Sequence, residues 1–217
     1  MNKIKLIDKQ ESYKVKVYEK IKEEIIIGNI PQGSDLNERK LSTELGISRT
    51  PIREALQMLS HDGWVVIKPY KGATVRTFDK EYIENVLKVR KALEILAVED
   101  AIKHISDEDI EFLKKILDKQ EYVTHNYNPT EFMRLDRIFH EKIYKMSNNE
   151  ILINLLGNLN DIIRFFGIKV LQEKNRSLTT IIEHKNVLKA IIDKDIHSAK
   201  KYMEEHMNQT SNKIINT

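Results

Sequence analysis

Three histidines and one aspartate in the second half of the chain stand where helical spacing turns them toward a core. In EFMRLDRIFHEKIY, residues 131–144, Asp136 and His140 stand four apart. Both therefore project from one helical face, which also presents Met133, Ile143 and Tyr144. His184 lies among Ile181, Val187, Leu188 and Ile191, and His206 shares its face with Ala199, Tyr202 and Met203. A lone inward histidine is more often a core residue with a satisfied hydrogen bond than a ligand. Three beside a carboxylate are harder to read that way, because imidazole plus carboxylate is a normal first shell for zinc, nickel or manganese. Arg90 and Glu94 sit within the apolar stripe of Ile83, Val86, Leu87, Ala97 and Ala101. They read equally as a buried intrahelical pair and as functional groups.

A second chemistry stands at residues 44–56, ELGISRTPIREAL. Helix starts prefer acidic side chains, yet Arg49 and Arg53 stand at this one, which makes sense if a partner supplies the anions. Four apart, they project from one face and can read guanine edges or grip phosphate, while Ser48 and Thr50 can donate to the backbone of a duplex. Arg39 is placed to touch the strand that the preceding helix crosses, and Tyr70, Lys71 and Gly72 can reach a neighbouring groove. The plainer alternative is an exposed helix whose arginines pair with Glu44 or Glu54.

These residues need elements to place them. Val17, Tyr18, Ile21, Ile25 and Ile26 recur at helical spacing up to Gly28; NIPQGSDL reads as loop. Asn37 can cap a short helix with Leu41 and Leu45 that ends at Gly46. Ser48 can cap the next by accepting from the Thr50 amide, with Pro51 in a first turn that tolerates it. A three-residue connection, Gly46 to Ser48, suits a helix-turn-helix. WVVIK and ATVRT, separated by PYKG, predict a hairpin wing. Beyond Thr77 the chain reads as amphipathic helices at roughly 80–104, 107–125, 130–147, 150–172, 178–193 and 195–213. The expected fold class is mainly α: a winged helix-turn-helix over residues 1–78 and an all-helical six-helix bundle over 79–217.

Composition agrees with that division. Residues 1–78 hold 14 Lys+Arg against 10 Asp+Glu, a balance of +4, which leaves 22 against 23, or −1, for the rest. The basic excess thus lies where phosphates would be met. With no cysteine there is no disulfide or thiolate site, and with no long apolar run no membrane span is expected, so the cytoplasm is the expected compartment.

PQGSDLNERKLSTELGISRTPIREALQMLSHDGWVVIKPYKGATVR, residues 31–76, resembles the winged helix-turn-helix of the GntR family of bacterial transcription regulators, with SRTPIREAL its most specific motif. The resemblance implies that Arg39, Arg49, Arg53 and Gly72 contact double-stranded operator DNA, with Ser48, Thr50 and Pro51 shaping that surface. VRKALE, LDRIFHEKIYKMSNNEIL and EHKNVLKAIIDKDIHSAKKYMEEH resemble the metal-containing FCD ligand-binding domain of the FadR-type branch. By that resemblance the metal ligands are Asp136, His140, His184 and His206. Arg90 helps fix the carboxylate of a small organic-acid effector, and Arg164 is a further candidate for that work. The expected cofactor is a divalent ion, zinc first, with nickel or manganese as options, and the expected assembly is a homodimer on inverted half-sites. His61, His104, His125 and His197 receive no role.

The competing class is a metal-dependent hydrolase, or a direct metal sensor, carrying a DNA-binding module. An HExxH protease motif needs histidine where Tyr144 stands, and Glu141 and Glu183, adjacent in sequence to the ligands, are expected on other helical faces.

Overall fold

Val17, Ile21 and Ile25 put an apolar stripe on α1 (Tyr13–Ile26), which packs against α3 (Arg49–His61) through Ile52, Ala55, Leu56 and Leu59. The computed structural model describes residues 12–68, 72–170 and 174–216 of the chain. Two compact units result, Met1–Phe78 and Asp79–Thr217.

In the first unit, α2 (Glu38–Leu45) begins at Asn37, whose side chain accepts from the Arg39 and Lys40 amides at 2.9 and 3.0 Å. It ends at Gly46, whose φ of 65° is the left-handed conformation that glycine adopts without strain. The turn is tied by the Ser42 hydroxyl, which donates to the Ile47 carbonyl at 2.7 Å. Ser48 occupies the N-cap of α3 with extended backbone, but its side chain makes no capping bond. The expected bond to the Thr50 amide is thus absent: the backbone geometry of a cap is met while the hydroxyl stays exposed.

The wing is β2 (Val65–Lys68) and β3 (Gly72–Val75), antiparallel, pairing Val65 with Val75 and Lys68 with Gly72. A third strand, β1 (Asp35–Leu36), pairs with β3, so the sheet order is β1-β3-β2. The stretch expected as loop therefore contributes a strand. Two residues cannot display period-two alternation, and this pairing is made to a segment far along the chain. Trp64 and Phe78 close the unit edge to face, with centroids 5.8 Å apart.

The second unit is helical throughout its described residues: α4 (Lys80–His104), α5 (Asp107–His125), α6 (Pro129–Met146), α7 (Glu150–Val170), α8 (Lys174–Ile192) and α9 (Ile196–Ile215). Five helix starts are held by side-chain caps: Asp79 on α4, Ser106 with Asp109 in a reciprocal box on α5, Asn128 before Pro129 on α6, Asn149 on α7, and Asp195 on α9. The α8 helix starts a turn before the expected residue 178. Its polar first turn is held by Arg176, whose guanidinium donates to both Glu183 oxygens at 2.9 Å. Leu113, Phe139, Ile143, Leu152, Leu156, Ile191 and Met203 form a dry core. Set beside them are three histidines with 0–2% exposure. Among the described residues no helix is long and apolar enough to cross a membrane.

Candidate functional site

In the first unit, Arg49 and Arg53 emerge one turn apart on α3, and both reach back to a residue not expected, Glu38 on α2. Arg53 grips it twice, at 2.9 and 2.8 Å, and Arg49 once, at 3.2 Å. Glu38 holds its carboxyl below the usual range, chiefly through the Arg53 hydrogen bonds. Glu44 and Glu54, the expected partners on the plainer reading, are not the partners found. Both arginine side chains remain about 60% exposed, at 60% and 58%, so the fork is loosely held and open to a competing anion. Arg39, Arg49, Arg53 and Gly72 line one groove of about 570 Å³ with Glu38 and Gln57. Ser48 and Thr50 are exposed and Pro51 half-buried at the start of α3. Gly72 opens β3 with φ of 85°. Lys71 and Tyr70 lie outside the described residues.

In the second unit, α6, α8 and α9 bring His140, His184 and His206 together with a ring nitrogen of each within 4.8 Å of the others. The Nε2 atoms of His140 and His206 are 3.2 Å apart, and His184 Nε2 is 3.6 Å from Asp136 Oδ1. Each Nδ1 faces an acceptor outward: Glu94 Oε2 at 3.1 Å for His140, Gln120 Oε1 at 3.3 Å for His184, Glu183 Oε2 at 2.6 Å for His206. With Nδ1 donating in all three rings, every Nε2 lone pair points inward. Burial, and then the neighbouring imidazoles, push His184 well below its usual pKa. Burial also lowers His206, against the pull of Glu183. Neutral rings are the form that ligates.

His184 Nε2 is buried with no hydrogen-bond partner, an arrangement that calls for a cation. Two nitrogens about 2.0–2.1 Å from a shared ion stand roughly 2.8–3.4 Å apart at octahedral to tetrahedral angles. The 3.2 Å pair lies inside that range, so the three imidazoles fit a divalent metal, and Asp136 Oδ1 stands 3.6 Å from the third of them, His184.

Glu94 is the hub behind His140. It accepts from Arg90 Nε at 3.0 Å and from the Tyr144 hydroxyl. Burial alone would raise its pKa, yet His140, Arg90 and Tyr144 together bring it down to about 2. Arg90 therefore makes the intrahelical pair and also lines a cavity of about 280 Å³, whose wall includes Asp136, His140, Asn160 and Arg164. Arg164 is half-buried on α7.

Glu183 departs from expectation. Although adjacent in sequence to His184, it bridges His206 and Arg176 because the α8–α9 cleft opens on its side. Glu141 does turn away, toward Arg137 at 3.2 Å. Gln120 was missed too, although a polar residue in register with Leu113, Ile116 and Leu117 was a signal on the sequence.

Comparison with known proteins adds kinship. The description "Bacterial regulatory proteins, gntR family" matches residues 14–75, and "FCD domain" matches residues 85–209. YdhC, an HTH-type transcriptional regulator of Bacillus subtilis (strain 168), is 33% identical over 93% of this chain and 91% of its own. The gluconate operon transcriptional repressor of Bacillus licheniformis is 28% identical over 92% of this chain and 84% of its own. Among solved structures, E. coli McbR/YncC shares the fold with a TM-score of 0.81 at 23% identity, covering 95% of this chain and 99% of that one.

Proposed function

The chain belongs to the GntR family of bacterial regulatory proteins and carries an FCD domain; it is a DNA-binding transcription regulator rather than an enzyme, and we propose that a small organic acid bound at a metal in residues 79–217 controls its grip on operator DNA. In this reading Asp136, His140, His184 and His206 hold the ion, with zinc the first assignment and nickel or manganese the alternatives by ligand type. Bound there, the ion would supply a positive charge and open positions for a carboxylate. Glu94, Gln120 and Glu183 fix the ring tautomers, Arg90 orients the acid, and Arg164 assists from α7.

Residues 1–78 provide the DNA contacts. Arg49 and Arg53 leave Glu38 for base edges or phosphate, and Arg39, Ser48, Thr50, Pro51, Lys71 and Gly72 form the rest of the surface. The working form is a cytoplasmic homodimer whose recognition helices must satisfy two half-sites together, and the acid changes that geometry. The sugar-acid operon in the name of the Bacillus licheniformis relative supports a carboxylate effector.

The single observation that carries the reading is three buried imidazoles, each facing an acceptor at Nδ1, whose Nε2 atoms converge near Asp136, with His140 on the wall of an arginine-lined cavity. Elemental analysis of the purified protein tests it. We expect one divalent ion per chain, lost in His184→Ala and His206→Ala, with a melting temperature that falls on chelation. A wild-type protein that takes up no metal, or variants that retain it, would overturn the assignment.

A further inference from the structure

Among the described residues, four buried side-chain nitrogens lack an aligned hydrogen-bond partner: Gln120 Nε2, His184 Nε2, Arg137 Nε and Asn160 Nδ2. The first two belong to the imidazole cluster. The other two line the adjoining cavity, from α6 and α7 respectively. Asn160 is 8% exposed; the Arg137 side chain is 41% exposed and pairs with Glu141, its buried Nε lying 3.2 Å from Glu141 Oε1 without the alignment of a hydrogen bond. Buried donors of this kind are normally matched, so two on one cavity wall describe the missing acceptor.

Charge says what kind of acceptor. The cavity is lined by Arg90, Arg134, Arg137 and Arg164 against the carboxylates Glu131 and Asp136. Arg134 is committed to Glu131 through two bonds of 2.8 and 2.7 Å, Arg90 pairs with Glu94 and Arg137 with Glu141, and Asp136 faces His184. A bound divalent ion would add positive charge to this wall. One carboxylate held at the metal and Arg90 leaves the Asn160 and Arg137 donors unanswered. The cavity also runs from His140 to Thr130 along α6, ten residues or roughly 15 Å of helix, which is longer than a single carboxylate needs.

We infer that the effector is a small acid with two anionic groups, one at the metal and Arg90, the second received by Asn160 Nδ2 and the Arg137 guanidinium. This rests on the metal-bound effector proposed above and narrows its chemical class. The second group is a carboxylate or a phosphate; both present the acceptor oxygens and charge that the wall answers.

The test is calorimetric titration of the full-length, metal-loaded protein with matched acids: malate against 2-hydroxybutyrate, and 3-phosphoglycerate against glycerate. Within each pair the metal-binding head is the same and only the second anionic group differs. At least one dianion should bind about tenfold or more tightly than its partner, the scale of one charge-assisted hydrogen bond. Which pair shows the gap identifies carboxylate or phosphate. The near-isosteric Asn160→Asp should bring that pair within about twofold by placing a like charge at the second station. Arg137→Gln should narrow the gap in the same direction. Metal stoichiometry and melting temperature, matched to wild type, serve as the folding control for both variants.

Equal binding within both pairs overturns the inference and leaves the metal-bound effector intact. So does a gap that survives Asn160→Asp in the folded protein, or a failure of both dianions to bind. Absence of metal from the wild-type protein is a separate result that removes the reading beneath it as well.

Discussion

Single residues on this chain are set by partners one helix away. His206 is the clearest case, because Glu183 lies 2.6 Å from its Nδ1 while Arg176 holds Glu183 from the other side. A carboxylate behind an imidazole fixes the tautomer and raises its basicity as a ligand, and loss of such a partner typically costs 10–100-fold in metal affinity. Glu183→Gln should therefore weaken zinc binding by roughly ten- to a hundredfold in competition with a chromogenic chelator, leaving the stoichiometry at saturation unchanged. An affinity equal to wild type would show that His206 does not depend on this contact. Glu38 plays the corresponding part in the first unit. It accepts from both Arg49 and Arg53, and because the pairs are exposed, a competing anion would displace it at small cost.

At the scale of elements, α3 presents its arginines because Gly46 turns the chain and Pro51 sits within the first turn of the helix, while Ile52, Ala55, Leu56 and Leu59 bury its opposite face. Arg49→Ala removes a side chain that contributes nothing to that buried face. Selective operator binding should be lost in a mobility-shift titration at fixed salt, while the melting temperature stays that of wild type; unchanged affinity would remove α3 as the reading helix. The helices were plain in the sequence because their apolar residues recur every three or four positions, and that same periodicity turned His140, His184 and His206 inward. The two-residue β1 had no such period, since its pairing with β3 depends on a distant segment. The free Ser48 hydroxyl was equally hidden, because N-cap backbone geometry does not compel the side-chain bond. A one-residue offset from His184 predicts an outward face for Glu183. Only the packing of α9 against α8 decides that this offset faces a cleft rather than solvent. Cross-helix partners such as Gln120 and Glu38 share that difficulty, for sequence distance carries no record of which helices touch.

For the whole molecule, Met1–Phe78 carries the exposed cations and Asp79–Thr217 the buried imidazoles. An effector can act across such a division only by binding one DNA-binding state better than the other, and the coupling is then reciprocal between acid and operator. Such couplings typically change affinity about 5–150-fold. The most direct measurement is operator affinity, by fluorescence anisotropy at fixed salt on a duplex selected from random sequence, with metal-loaded protein titrated with lactate, malate, citrate and gluconate. At least one acid should change the dissociation constant about fivefold or more, and the change should vanish in His206→Ala. Identical operator affinity with every acid, or a response that survives loss of the metal site, would contradict the account.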